Sequence, residues 1–281
     1  MSILENVADK VNIKEGIGAI KQYVFILLCY PNSSVKYISH TLSLPIPIVS
    51  AIKKELKKEK LVITHNGISL TSKGEMLVRN ELHLKNLNIN KYLEIISGDY
   101  ENLYIYLSML EEIYQNRPEV DVTIDQSKCT KQTAINRVLY SIKKGYILNQ
   151  NIVCIGDDDL ISVTYSLIYS YLFDTKQNGL SITVIDTDKR ILEYIHLLSK
   201  QYDLKINCCL HDLRKPIPMK LQNSFDLVIT DPPYTQSGLS LFLSRGISCL
   251  KKTNALPILL SYGSKPIDEQ LVIQKLFNDS N

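Results

Sequence analysis

The apolar positions of this chain change rhythm near residue 150: before it they recur every three or four residues, and after it they come as unbroken runs, most of them followed by a stretch of helical spacing. In the front part "AIKQYVFILLCY" reads as a helix. "SVKYISHTLSL" carries Val35, Ile38 and Leu42 at helical spacing, and "LPIPIVSAIKKELKKEKL" has Ile48, Ile52 and Leu56 as its inward stripe. Pro45 and Pro47 stand where a helix start tolerates proline. "LVITHNGISLT" then offers two short β-rich runs joined at Asn66-Gly67, a strong hairpin signal. Three helices and a hairpin in this order predict an N-terminal winged helix-turn-helix over residues 1–88. Residues 89–150 read as a helical region at the rim of the site. It includes "ENLYIYLSMLEEIYQ", the loop "RPEVDVTIDQSKCT", and "KQTAINRVLYSIKKG", which is capped by Thr130 and closed by Gly145.

From residue 151 the runs are "IVCI", "ITVID", "KINCC", "DLVIT" and "ALPILLS", with helical spacing after the first, second and fourth. Continuous apolar strands between helices predict a parallel sheet covered on both faces. The fold class is therefore α/β, with a Rossmann-like parallel sheet over 151–281. Little chain follows the fifth strand, so this part is expected to be C-terminally shortened.

Ligands of such sheets bind beyond the carboxyl ends of the strands, and acids stand there. Asp157, Asp158 and Asp159 follow the first strand after Gly156, Asp186 ends the second, Asp212 follows the third, and Asp231 follows the fourth. An acid ending the second strand commonly accepts ribose hydroxyls, which assigns Asp186; Asp188 reads as a helix N-cap. Asp212 suits an adenine amino group, or else an ion pair with Arg214. In "TDPPYT" two prolines stiffen the turn after the strand, so that Asp231 and nearby carbonyls face an amine while Tyr234 supplies an aromatic wall; the bland alternative is a rigid turn. One acid at a helix start gains about 0.3–1 kcal/mol from the helix dipole. Three in a row repel one another and raise each other's pKa, a cost that makes sense where a cation is received. At about 4 Å two like charges repel by roughly 1–4 kcal/mol, so this loop should disfavour a carboxylate-bearing S-adenosylmethionine and suit its decarboxylated form, a polyamine, or both.

Composition and charge narrow the picture further. Residues 1–90 hold 12 Lys+Arg against 7 Asp+Glu and the remainder 20 against 22, so a basic front precedes a slightly acidic back. Lys53, Lys54, Lys57, Lys58 and Lys60 could face phosphates, but they alternate with Glu55 and Glu59, and the helix lacks base-reading Arg, Asn or Gln. Nucleic-acid binding is possible but not favoured. The longest apolar run, Tyr23 to Tyr30, is shorter than the roughly 20 residues that cross a bilayer, and the start has no basic segment or cleavage site. A cytosolic protein without a membrane partner is expected. Six cysteines without a CxxC pair or His partners indicate neither a disulfide framework nor a metal site.

Six blocks, "DQSKCTKQTAINRVL", "GDDDL", "VIDTDKRILEYI", "HDLRKPIP", "FDLVITDPPYT" and "GLSLFLSRGISCLK", together resemble the branched-chain polyamine synthases, aminopropyltransferases that build N4-bis(aminopropyl)spermidine. The resemblance covers roughly residues 115–262, and the winged helix fits that architecture. It implies transfer of the aminopropyl group of decarboxylated S-adenosylmethionine to an amine of a polyamine such as spermidine, with release of 5′-methylthioadenosine. Gly156, Asp186 and Asp212 would then bind the donor nucleoside, and Asp157, Asp158, Tyr234 and Gln126 the acceptor. Asp159, with Asp231 second, would be the base that takes the amine proton. No metal is implied, and a homodimer is expected from related transferases. Two other readings stay open: an S-adenosylmethionine-dependent amino-group methyltransferase, and a DNA-binding regulator with a degenerate transferase domain.

Overall fold

The computed structural model describes residues 2–124, 126–174, 179–253, 256–263 and 265–279. The described chain forms two compact units. The first contains residues up to 98 together with 172–174, 179 and 253; the second contains the rest.

In the first unit, α1 (Ile3–Val11) starts in a capping box between Ser2 and Glu5. Helix α2 (Gly16–Cys29) buries nine of its residues and is the spine of this core. Then come α3 (Val35–Leu42), capped by the Ser34 hydroxyl, and α4 (Ile46–Lys58), which starts after Pro45. The buried stripe of α4 is Val49, Ile52 and Leu56; Ile52 and Leu56 are inside as expected, while Ile48 is only half-buried and Val49, three residues before Ile52, takes its place. Strands β1 (Val62–Ile63) and β2 (Ser69–Leu70) pair antiparallel. The turn between them needs Gly67: its φ is +119°, and a Cβ there would lie 2.3 Å from the Asn32 carbonyl oxygen. Helices α5 (Ser72–Glu81) and α6 (Ile89–Ser97) follow. The three expected helices, α2, α3 and α4, and the hairpin come in the expected order, preceded by α1, which was not expected.

The second unit opens with α7 (Glu101–Tyr106), α8 (Leu110–Gln115) and α9 (Lys131–Lys143). One long helix was expected over the first two, but a 3₁₀ turn at Leu107–Met109 divides it. The alternation that follows is β3 (Asn151–Ile155), α10 (Ile161–Leu172), β4 (Ser181–Asp186), α11 (Lys189–Tyr202), β5 (Ile206–Leu210), β6 (Leu227–Thr230), α12 (Gln236–Cys249), β7 (Ile258–Leu260) and α13 (Ile267–Asp279). The five strands form one parallel sheet in the order β5-β4-β3-β6-β7. Residue 255, the first of the expected fifth strand, lies outside the described residues. The inner strands β3, β4 and β6 are buried almost throughout, whereas β5 and β7 at the edges are not, which is why the inner runs lack polar alternation. Val153, Ile155, Ile185 and Val228 pack with Leu213, Ile217, Phe225 and Cys249 in one core cluster. Strand order reverses between β3 and β6, so the crevice for a ligand opens beyond their carboxyl ends. Among the described residues no helix is long and apolar enough to cross a membrane.

Candidate active site

The cleft beyond these strand ends encloses about 730 Å³ of empty space, its open mouth included. Gly156, the residue that follows β3, lines it. Its N–H bonds Ile185 O at 2.9 Å, its φ is +73°, and a Cβ would meet the Phe242 ring at 3.2 Å. Only glycine takes this bend without strain and without filling the cleft. Beside it Asp186 is buried, and its carboxylate accepts the N–H groups of Asp157 (3.0 Å) and Asp188 (2.8 Å). Burial raises its pKa against the pull of those donors. Asp188 caps α11, as expected.

The three adjacent acids do not act as one cluster. Asp157 is 3% exposed and lies outside the cleft lining. Its carboxylate accepts the N–H of Ile161 at 2.7 Å and of Ser162 at 3.2 Å, capping α10, and burial drives its pKa well up. The expectation that Asp157 binds substrate gives way to this capping role. Asp159 is also 3% exposed and is held by cations: Arg137 Nη1 at 2.8 Å and Arg117 Nη1 at 3.6 Å, with the Cys129 N–H at 2.7 Å. Asp159, expected to be the base, is thus tied to these partners and is not among the residues that line the cleft. Asp158 alone of the three lines the cleft. The Ser127 N–H donates to it at 3.2 Å. Burial, then the negative charges of Asp159, Asp186 and Asp231, push its pKa up to about 7.

Across the cleft, Asp231 and the Pro232-Pro233-Tyr234 turn close the wall, and Thr235 caps α12 behind them. Asp231 bonds Arg137 Nη2 at 2.8 Å; burial raises its pKa more than Arg137 lowers it. Tyr234, 47% exposed, meets the Tyr262 ring edge-on at 5.3 Å. Gln126 lines the cleft and donates to Asp188 at 3.1 Å. Asp212 stands apart: its exposed carboxylate grips Arg214, at 2.8 and 2.9 Å, which holds its pKa down at about 2, and it is absent from the cleft lining, where its neighbour Leu213 stands instead. Of the two readings the sequence allowed for Asp212, adenine binding or an ion pair with Arg214, these contacts show the ion pair.

Two residues that sequence reasoning missed organise the acids. Arg117 is 5% exposed, lies over the Tyr114 ring at 5.1 Å and donates to the carbonyls of Asp158 (3.3 Å) and Cys129 (3.0 Å). Nothing in "NRPEV" announces it. Arg137 did leave a signal: it sits on α9 at helical spacing between Ala134 and Ser141, both fully buried, and a cation inside a buried stripe needs an anionic partner. No group of acids, histidines and cysteines among the described residues has the arrangement of a metal site.

Residues 106–281 match the family model of the branched-chain polyamine synthase A C-terminal domain. The chain is 36% identical to an uncharacterized protein of Methanocaldococcus jannaschii, over 97% of this chain and 68% of that one. It is 35% identical to the N(4)-bis(aminopropyl)spermidine synthase of the same organism, over 74% of this chain and 57% of that one. Among solved structures, the branched-chain polyamine synthase of Thermus thermophilus in complex with N4-aminopropylspermidine and 5′-methylthioadenosine is 21% identical, with 88% of this chain and 69% of that one covered at a TM-score of 0.47. The match thus spans little more than half the length of the M. jannaschii synthase.

Proposed function

The chain belongs to the branched-chain polyamine synthase family, and from that premise we propose that it moves an aminopropyl group from decarboxylated S-adenosylmethionine to an amine of a polyamine such as spermidine, releasing 5′-methylthioadenosine. The observation that carries the reading is the convergence of Gly156, Asp158, Asp186 and Asp231 on one cleft at the strand ends. The name of the 35%-identical M. jannaschii relative supports the substrate class.

In this reading Asp186 accepts the ribose hydroxyls, and Gly156 lets the nucleoside approach the backbone beside Leu213. The acceptor amine lies between Asp158 and Asp231, with Tyr234 against its methylene chain. An ammonium has no lone pair to attack with, so it must first lose a proton. Asp158, poised near 7, binds the ammonium and takes that proton, a role worth typically 10²–10⁴-fold in rate. The freed nitrogen pair then attacks the propyl carbon, the carbon–sulfur bond breaks, and the sulfonium electron pair returns to sulfur as the neutral thioether. The test is to incubate the chain with the decarboxylated donor and spermidine and to follow methylthioadenosine release; no release with any polyamine defeats the proposal.

One observation favours a second reading. Because Arg117 and Arg137 compensate Asp159 while Asp157 is turned inward, the loop repels a carboxylate less than its sequence implies, so carboxylated S-adenosylmethionine and amine methylation remain compatible with the cleft. Calorimetry with both donors separates the two: the aminopropyl reading requires the decarboxylated donor to bind tighter.

A further inference from the structure

Arg137 reaches the acids from outside the cleft. It lines a neighbouring, mostly apolar cavity with Tyr140, Ile161, Leu259 and Leu260, yet its two terminal nitrogens bond acids from two different strand ends, Asp159 after β3 and Asp231 after β6, both at 2.8 Å. One guanidinium thus offsets two carboxylates at the one place where the strand order reverses. Burial alone would make so enclosed a cation easier to deprotonate, but Asp231 and Asp159 reverse this and hold it charged. Asp158, whose ionisation feels both of those acids, has a backbone N–H as its partner and no ion pair among the described residues.

We propose that Arg137 sets the charge specificity of the acceptor side: it is a resident cation that occupies, between Asp159 and Asp231, the position a second ammonium of the acceptor would otherwise take. With Arg137 in place, the cleft offers an ammonium Asp158 and the remaining oxygen of Asp231. Without it, one more net negative charge bears on the same space, and Asp159 keeps only Arg117 as a cationic partner. This inference rests on reading the cleft as an amine site, and it goes beyond that reading by naming what limits the number of amine charges taken.

The test is calorimetric binding of putrescine, spermidine and spermine, which carry two, three and four amines, to the full chain with methylthioadenosine present, at one pH and ionic strength. Arg137→Gln is expected to raise the spermine-to-putrescine affinity ratio about fivefold or more, the effect of one charge at about 4 Å even under water-like screening. Arg137→Lys, which keeps a cation, should leave the ratio as in the wild type. Asp159→Asn, which leaves Arg137 with surplus charge, should lower it. A purely structural Arg137 would lower the affinity for all three amines alike and leave the ratio unmoved, and that result overturns the proposal. Should Arg137→Gln fail to fold, the opposite shift in Asp159→Asn decides. If the wild type binds none of the amines but Arg137→Gln binds spermine, both the amine site and the resident cation are upheld; if neither protein binds any amine, the amine reading of the cleft falls and the inference with it.

Discussion

In the proposed reaction the chemistry turns on Asp158, which lines the cleft and whose pKa is pushed up to about 7 by burial and by neighbouring acids. A base must be ionised to act, so turnover should rise with pH through about 7, and Asp158→Asn should lose about 10²–10⁴-fold in kcat together with that limb of the profile. Stability moves the other way. The folded state holds this proton more tightly than the unfolded chain, whose carboxyl ionises near the ordinary 3.8, so stability falls as pH rises from about 4 to about 7. Asp158→Asn should therefore raise the unfolding temperature at pH 8 and leave it nearly unchanged at pH 4, which thermal melts at the two pH values will check. That three acids followed a strand was plain in the sequence. Which one faces the ligand was not, because it depends on two arginines 22 and more residues away in the chain.

At the scale of elements, the site is made by strand ends and by the caps that hold the following helices. Thr235 accepts the Gly238 N–H at 3.1 Å and so fixes the start of α12 just after the Asp-Pro-Pro-Tyr turn. Thr235→Ala should cost about 0.5–2 kcal/mol, read by denaturant unfolding, and should weaken acceptor binding more than donor binding. Gly156→Ala should do the reverse. A Cβ at φ +73° costs about 1–2 kcal/mol and meets Phe242 on the floor of the cleft, so methylthioadenosine affinity should fall at least about tenfold, measurable by calorimetry. Strands, their order of appearance and most helices were legible because a buried parallel strand writes itself as an unbroken apolar run. The division of the 101–115 helix and the choice of Val49 over Ile48 on α4 were not, since both are decided by packing rather than by spacing.

For the whole molecule, every residue assigned to the cleft belongs to the second unit, while the surplus of basic residues lies in the first. Hydrogen exchange with and without methylthioadenosine should therefore slow exchange around 126–127, 156–158, 186–187 and 231–234 and leave residues 2–98 unchanged; protection confined to the first unit would contradict this division. The sequence carried the α/β class, the family and the position of the cleft, because these follow from periodicity and from where acids fall on strands. The internal compensation of charge stayed hidden, because an arginine on a helix says nothing of its partner until the fold brings α9 against the strand ends.

The most direct test of the central claim is mass spectrometry of the products formed when the chain is given decarboxylated S-adenosylmethionine and, in parallel, S-adenosylmethionine, each with spermidine. Aminopropyl transfer requires one aminopropyl group added to the polyamine for each methylthioadenosine released, and no product with the carboxylated donor. Methylated amine from S-adenosylmethionine, with nothing from the decarboxylated donor, would contradict it.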